Sequence, residues 1–197
     1  MKHKITALIL FIFFLPFTVM ALDVPSLKGR VNDNAGIFSS SQKQNLESTL
    51  AALENQTSIQ MAVLTIPSLD GEDLEGFSIR TVEKWKLGQK GEDKGILLLL
   101  ALEDRKVRLE VGYGLESELT DAKTGYIVRE VMIPYFSKGD FAGGIIAGTA
   151  VVTDVVKGDK DISAEALSRS QTSQNRPTGR SLPFPFIFIL VMIFFNS

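Results

Sequence analysis

The side chains with chemistry to offer are carboxylates. Asp33, Asp70, Asp93 and Asp104 are spread along the chain, Arg105 stands beside Asp104, and Tyr113, Glu116 and Asp121 follow. The only histidine is His3, inside a stretch read below as a removable leader, and there is no cysteine. The mature chain then has neither residue. That excludes zinc sites built on Cys and His, thiol nucleophiles, phosphohistidine chemistry and every Ser-His-Asp or Cys-His arrangement. What remains is carboxylates, hydroxyls, Arg and Lys, with a hard metal ion as the partner that oxygen ligands suit.

The elements that position these groups are organised around Gly95 to Leu115. Ile96 to Leu102 is an unbroken apolar run, too short for a membrane span and closed by Glu103-Asp104-Arg105-Lys106, so it reads as a strand buried on both faces. Val107, Leu109 and Val111 then alternate with Arg108 and Glu110, the pattern of a half-covered edge strand paired antiparallel to the first. Upstream, Leu22 to Ile37 reads as a lead-in whose Asn and Asp residues shape a turn. Ser39-x-x-Gln42 opens a helix with Leu46, Leu50 and Leu53 on one stripe, ending near Asn55. Ile59 to Ile66 is a second buried strand, stopped by Pro67, and a helix with Leu74, Phe77, Val82 and Trp85 follows, stopped by Gly88. Strand, helix and strand make a βαβ unit, so the two buried strands are expected parallel with a right-handed crossover. Thr120-Asp121 starts a helix through Ile127 and Val131 that Pro134 interrupts, and a final helix runs from Asp140 to about Val156. Gly158 ends this domain, and the polar stretch from Asp159 to Ser181 reads as a flexible linker.

Met1 to Ala21 has the form of a secretory signal: Lys2 and Lys4, an apolar run from Ile5 to Val19, and Val19-Met20-Ala21 before the cut. The alternative is an uncleaved anchor; Pro16 and the short span favour processing. Removing the leader takes Lys2 and Lys4 from 21 basic residues and leaves 19 against 23 acidic, a net charge of −4. Such a chain is not a nucleic-acid binder by charge. Leu182 to Phe195 is wholly apolar, but as a helix it reaches only about 21 Å at roughly 1.5 Å per residue. Three readings stay open for it: a membrane anchor, the start of a span in a truncated chain, or an interfacial tail.

The motifs, taken in order, resemble the TPM domain, an exported domain also found in a thylakoid-lumen protein linked to photosystem II repair. The matching pieces are Val31-Asn32-Asp33-Asn34-Ala35-Gly36, Phe38-Ser39, Trp85-Lys86-Leu87-Gly88, Asp93-Lys94-Gly95, Asp104-Arg105, Arg108 to Glu116, Leu119-Thr120-Asp121-Ala122 and Gly139-Asp140-Phe141. They span about Val31 to Gly148. The resemblance implies a three-layer α/β/α sandwich, Rossmann-like, with a mixed sheet, a βαβ unit and an antiparallel edge hairpin. It also implies a signal peptide, often a membrane segment with a Gly-rich tail, calcium or magnesium binding and, for the plant member, acid phosphatase activity. Two departures stand out: Lys94 replaces the Asn usual in Asp-Asn-Gly, and the Gly-rich tail is missing.

Topology sorts the acids into two poles. Asp33, Asp70, Asp73 and Asp104 all fall near the carboxyl ends of the parallel strands, where ligands of such sheets sit. Asp93, Glu116 and Asp121 fall at the opposite edge. Asp33 and Asp104 are the first candidate metal ligands, with Asp70 and Asp93 as further acids, and Arg105 is the candidate holder of an anion such as phosphate. Tyr113 is a candidate pocket residue. Plainer roles compete: Asp70, Asp73 and Asp121 as helix-start residues, Asp104-Arg105 as a solvated hairpin turn, Trp85 as core. Gly112-x-Gly114-x-x-Ser117 lacks the third Gly of a dinucleotide loop, and there is no Walker loop, EF-hand spacing or aspartyl-nucleophile pair. Together with the resemblance, these residues give two expected functions. One is a periplasmic or otherwise exported, membrane-attached, non-catalytic module that binds Ca or Mg and supports assembly or repair of membrane-protein complexes. The other is a weak acid phosphatase using a metal-bound water.

Overall fold

Every residue from Gly95 to Ala101 is buried, and the first half of the molecule is built out from this strand. A computed structural model of the chain describes residues 22–88 and 92–174. The leader at 1–21 and the apolar tail at 182–197 lie outside the described residues. The chain divides into two compact units, the first ending at Gly114 and the second starting at Leu115. It has the α/β-sandwich class expected of it, with a mixed four-stranded sheet and flanking helices.

In the first unit the elements are β1 (Val31–Asp33), α1 (Ser40–Thr57), β2 (Gln60–Ile66), α2 (Leu74–Trp85), β3 (Gly95–Ala101) and β4 (Lys106–Val111). The sheet order is β1-β2-β3-β4, with β1, β2 and β3 parallel and β4 antiparallel. The register places Val31, Val63, Leu98 and Leu109 in one row across all strands. Period-two alternation gives one face to Ala62, Leu64 and Ile66 of β2 and to Leu97, Leu99 and Ala101 of β3. These residues cluster with Leu69, Phe77 and Trp85, so α2 covers that face.

The lead-in holds an unexpected strand, Val31–Asp33, ahead of the turn its polar residues shape. Three residues are too few for a periodic signal, and only pairing with β2 makes them a strand. This edge is closed by a side chain: Glu47 of α1 accepts the Arg30 and Val31 amides at 2.7 Å each. Helix α1 carries its capping box at Ser39 and Gln42 and ends at Ser58, which takes a left-handed conformation. Upstream of β1 the chain is strapped along α2. Arg80, Lys84 and Trp85 donate to the carbonyls of Leu22, Val24 and Pro25 at 3.2, 2.6 and 2.8 Å.

Strand β4 is the expected edge, yet its polar face is not simply solvated. Glu110 accepts from Ser78 of α2 at 2.7 Å and from Arg108 at 2.6 Å, and Arg108 reaches Glu75 at 3.2 Å. At its end, a β-carbon on Gly112 would stand 2.0 Å from the Asp93 carbonyl oxygen, and one on Gly114 would stand 1.9 Å from that of Glu92. Both glycines are required by the close approach of two backbones.

The second unit is helical. Thr120 caps α3 (Asp121–Tyr126), which continues through a π-helical stretch, Ile127–Met132, into α4 (Ile133–Phe136). The expected interruption at Pro134 is therefore a widening. Proline has no N–H to donate and its ring crowds the carbonyl four residues back, and the Ile133 amide bonds Val128 five residues back instead. Asp140 caps α5 (Phe141–Val156). The stretch read as a linker also differs, because Ser163–Gln174 forms α6 in contact with α3. Ile162 and Ala166 are buried there, and Arg169 lies 3.9 Å from Glu130. Two buried apolar residues in a polar run are too sparse a pattern to announce a helix. Among the described residues no helix is long and apolar enough to cross a membrane.

Candidate functional site

Asp33 ends β1 directly opposite Thr65 of β2. Its Oδ1 accepts from the Thr65 hydroxyl at 2.5 Å and from the Ile37 amide at 3.1 Å, and its Oδ2 accepts from the Phe38 amide at 3.1 Å. Thr65 Oγ1 in turn accepts the Ala35 amide at 3.2 Å. Burial alone would raise the Asp33 pKa, but the Thr65 hydroxyl and the Phe38, Ile37 and Gly36 amides outweigh it and hold the carboxyl below its usual range. The Asn32 amide group bonds Lys28 and Gly29. The run Val31 to Phe38 thus turns the chain from β1 into α1, and the Asp33 carboxylate is the centre of that turn.

Asp104 does comparable work on the next loop. Its Oδ2 accepts the Leu69 amide at 2.8 Å, tying the β3–β4 turn to the loop between β2 and α2. Leu69 is fully buried, so this amide needs such a partner. Asp70 follows Leu69 at once, exposed and with φ of 51°, and Arg105 follows Asp104, exposed and with φ of 53°. The bond to Leu69 ties Asp104 to the residue before Asp70, and Arg105 follows Asp104 in the same turn. Asp73 stands apart as the N-cap of α2, accepting the Gly76 amide at 2.8 Å. Asp33 lies two strands from β3, roughly 10 Å at about 4.8 Å per strand, with Leu100 as its counterpart there.

At the other end of β3, Asp93 is exposed with φ of 48°, and its carbonyl accepts the Gly114 amide at 3.3 Å. Lys94 pairs with Glu92, and this bond and charge hold the exposed Glu92 carboxyl below its usual range. Tyr113 is 80 % exposed. Glu116 and Asp121 belong to the second unit, where Glu116 is exposed and Asp121 is the first residue of α3. A cavity of about 650 Å³ opens at the amino ends of the parallel strands, walled by Leu27, Met61, Trp85 and Leu87 and edged by Lys86 and the Arg30–Glu54 pair.

One polar group escaped the sequence: Ser78, Glu75, Arg108 and Glu110. Ser78 is buried and donates to Glu110 and to the Glu75 carbonyl. Burial opposes the Arg108 charge, but Glu110, Glu75 and Asp73 outweigh it and raise the Arg108 pKa. Alternation marked Arg108 and Glu110 as a polar face; only the docking of α2 gave that face its partners.

Among the described residues no group of three or more His, Cys, Asp or Glu is placed to hold a metal ion. The oxygen donors at the carboxyl-end edge, Asp70 and Asp104 among them, are of the type a hard cation takes. Asp33 is shifted toward a fixed anion, the direction opposite to that of a general acid at neutral pH.

The family model for the TPM domain matches residues 31–155. Solved structures similar to the chain include the N-terminal domain of a protein from P. gingivalis, at 36% identity and a TM-score of 0.62, covering 66% of this chain and 82% of that one. The N-terminal domain of cg2496 from Corynebacterium glutamicum is 21% identical with a TM-score of 0.52, covering 74% and 88%. BA42 from the psychrophilic Bizionia argentinensis is 16% identical with a TM-score of 0.53, covering 60% and 80%. These last two are alike in fold alone. No curated protein matches the chain.

Proposed function

Because the chain belongs to the TPM-domain family, we propose that it is an exported, membrane-attached module that works by binding rather than by catalysis. It holds a calcium or magnesium ion at the carboxyl-end edge and supports the assembly or repair of membrane-protein complexes. The observation that carries the reading is the Asp104 bond to the Leu69 amide, which ties Asp104 to the loop that carries Asp70, at the edge where α/β sheets take ligands. One Asp104 oxygen is taken by that amide, and two carboxylates with several waters are a donor set familiar for magnesium. Asp33 supports the edge from its own loop. Export and membrane attachment rest on the form of residues 1–21 and 182–195.

A second reading, a weak metal-dependent acid phosphatase, is favoured by Arg105, which follows Asp104 in the same turn, is exposed, and carries a guanidinium that suits a phosphate. One experiment separates the readings. The exported protein is titrated with calcium and with magnesium while amide shifts are followed, in the native chain and in the Asp70→Asn, Asp104→Asn double variant. The carboxamide oxygen that Asp104→Asn leaves in place still accepts the Leu69 amide, so the loop survives while both charges go. Binding is expected at residues 68–70 and 102–105 and is lost in the double variant; unchanged binding there sinks the site. Phosphomonoester turnover that disappears in the folded double variant decides for the phosphatase.

A further inference from the structure

In the strap along α2, Leu22 is held by both of its backbone groups. The Leu22 nitrogen donates to Glu72 Oε2 at 2.8 Å, and the Leu22 carbonyl accepts from Arg80 Nη2 at 3.2 Å. Arg80 also pairs with the other oxygen of Glu72. Glu72 is largely buried, its side chain 17% exposed, and the Arg80 guanidinium lies 5.6 Å from the centre of the Phe77 ring, so both partners also have contacts besides Leu22. The Leu22 side chain packs against the α2 core cluster. A carboxylate set on the nitrogen and an arginine set on the carbonyl of one residue make a receptor for an amino terminus. Leu22 is also the residue that a cut after Val19-Met20-Ala21 would expose.

We propose that Glu72 and Arg80 form the seat of the processed amino terminus, so that removal of the leader turns the contact at Leu22 into an ion pair. Cleavage by an envelope endopeptidase adds one water across the Ala21–Leu22 peptide bond. Ala21 leaves as a carboxylate, and the Leu22 amine takes up a proton. The neutral amide donor is thereby replaced by an ammonium, which pairs with Glu72 Oε2 while Arg80 keeps Oε1 and the Leu22 carbonyl. The contact becomes charge-assisted only in the processed chain. The inference rests on the export reading above and adds to it a residue-level acceptor for the new terminus.

The test expresses the full chain with its leader and identifies the first residue of the exported protein by mass spectrometry, with Leu22 expected. The Leu22 amine is then modified with an amine-selective acylating reagent near neutral pH. It should react about two- to fivefold more slowly in the native protein than in Glu72→Gln, the range set by a part-exposed ion pair. The melting temperature of Glu72→Gln should fall by about 1–4 °C. Should Glu72→Gln fail to fold, a Gly-Ser insertion between Ala21 and Leu22 leaves the seat intact and moves the ammonium out of reach; fast labelling and a lower melting temperature are expected. An exported protein starting at another residue, or a native amine as reactive as that of the insertion variant, overturns the seat and leaves export standing. A chain that keeps Met1 and stays inside the cell overturns the export reading itself.

Discussion

At the scale of single residues, Asp33 and Asp104 use their carboxylates to hold loops. The three donors on Asp33 come from a threonine 32 positions away and from two amides of its own loop. Asp33→Asn loses an oxygen acceptor and the charge, and should cost about 1–3 kcal/mol at pH 7, read by urea denaturation. The pH dependence has a definite sign. A carboxyl whose folded pKa lies below its unfolded value contributes stability that is complete above the unfolded value of about 3.9 and is lost as pH falls through the folded one. The native protein should therefore lose stability below about pH 4 more steeply than Asp33→Asn does. Thr65→Val should raise the Asp33 pKa, because it removes the foremost of the bonds that lower it, and carboxyl carbon shifts on titration would report this. The helix-start reading of Asp73 was legible from the apolar stripe that follows it. The Thr65 partner of Asp33 was not, because no local spacing couples residues on neighbouring strands.

At the scale of elements, the βαβ unit and its hairpin were legible because both strands are long apolar runs and the helix between them has its own cap and stop. What escaped are the elements whose reason lies elsewhere: β1, made a strand by its neighbour, and α6, where Ala166 and the preceding Ile162 are buried in an otherwise polar run. The glycine motif Gly112-Tyr113-Gly114 belongs here too. Gly114→Ala drives a methyl into the Glu92 carbonyl and should cost about 1–3 kcal/mol, since backbone must move. Gly148→Ala meets only the Met132 side chain, at 2.7 Å, which can change rotamer, so its cost should be the smaller of the two. Paired thermal melts of the two variants check the order.

At the scale of the whole molecule, the chain has no cysteine and so no disulfide, and the first unit is held by apolar packing on both faces of its sheet, one of them the cluster under α2. Phe77 is wholly buried at its centre. Phe77→Ala should cost about 3–5 kcal/mol, a large share of the roughly 5–15 kcal/mol available to a domain, and should show as a collapse in yield of folded protein at 37 °C. The sequence by itself determined the fold class, the order of the main elements and the kinds of chemistry excluded, because apolar periodicity and the inventory of side chains are local properties of the chain. Only the tertiary structure decided which acids hold loops and which stand open. Asp33 and Asp104 take their roles from Thr65 and Leu69, and Glu72 from Leu22, through contacts that exist once distant segments meet.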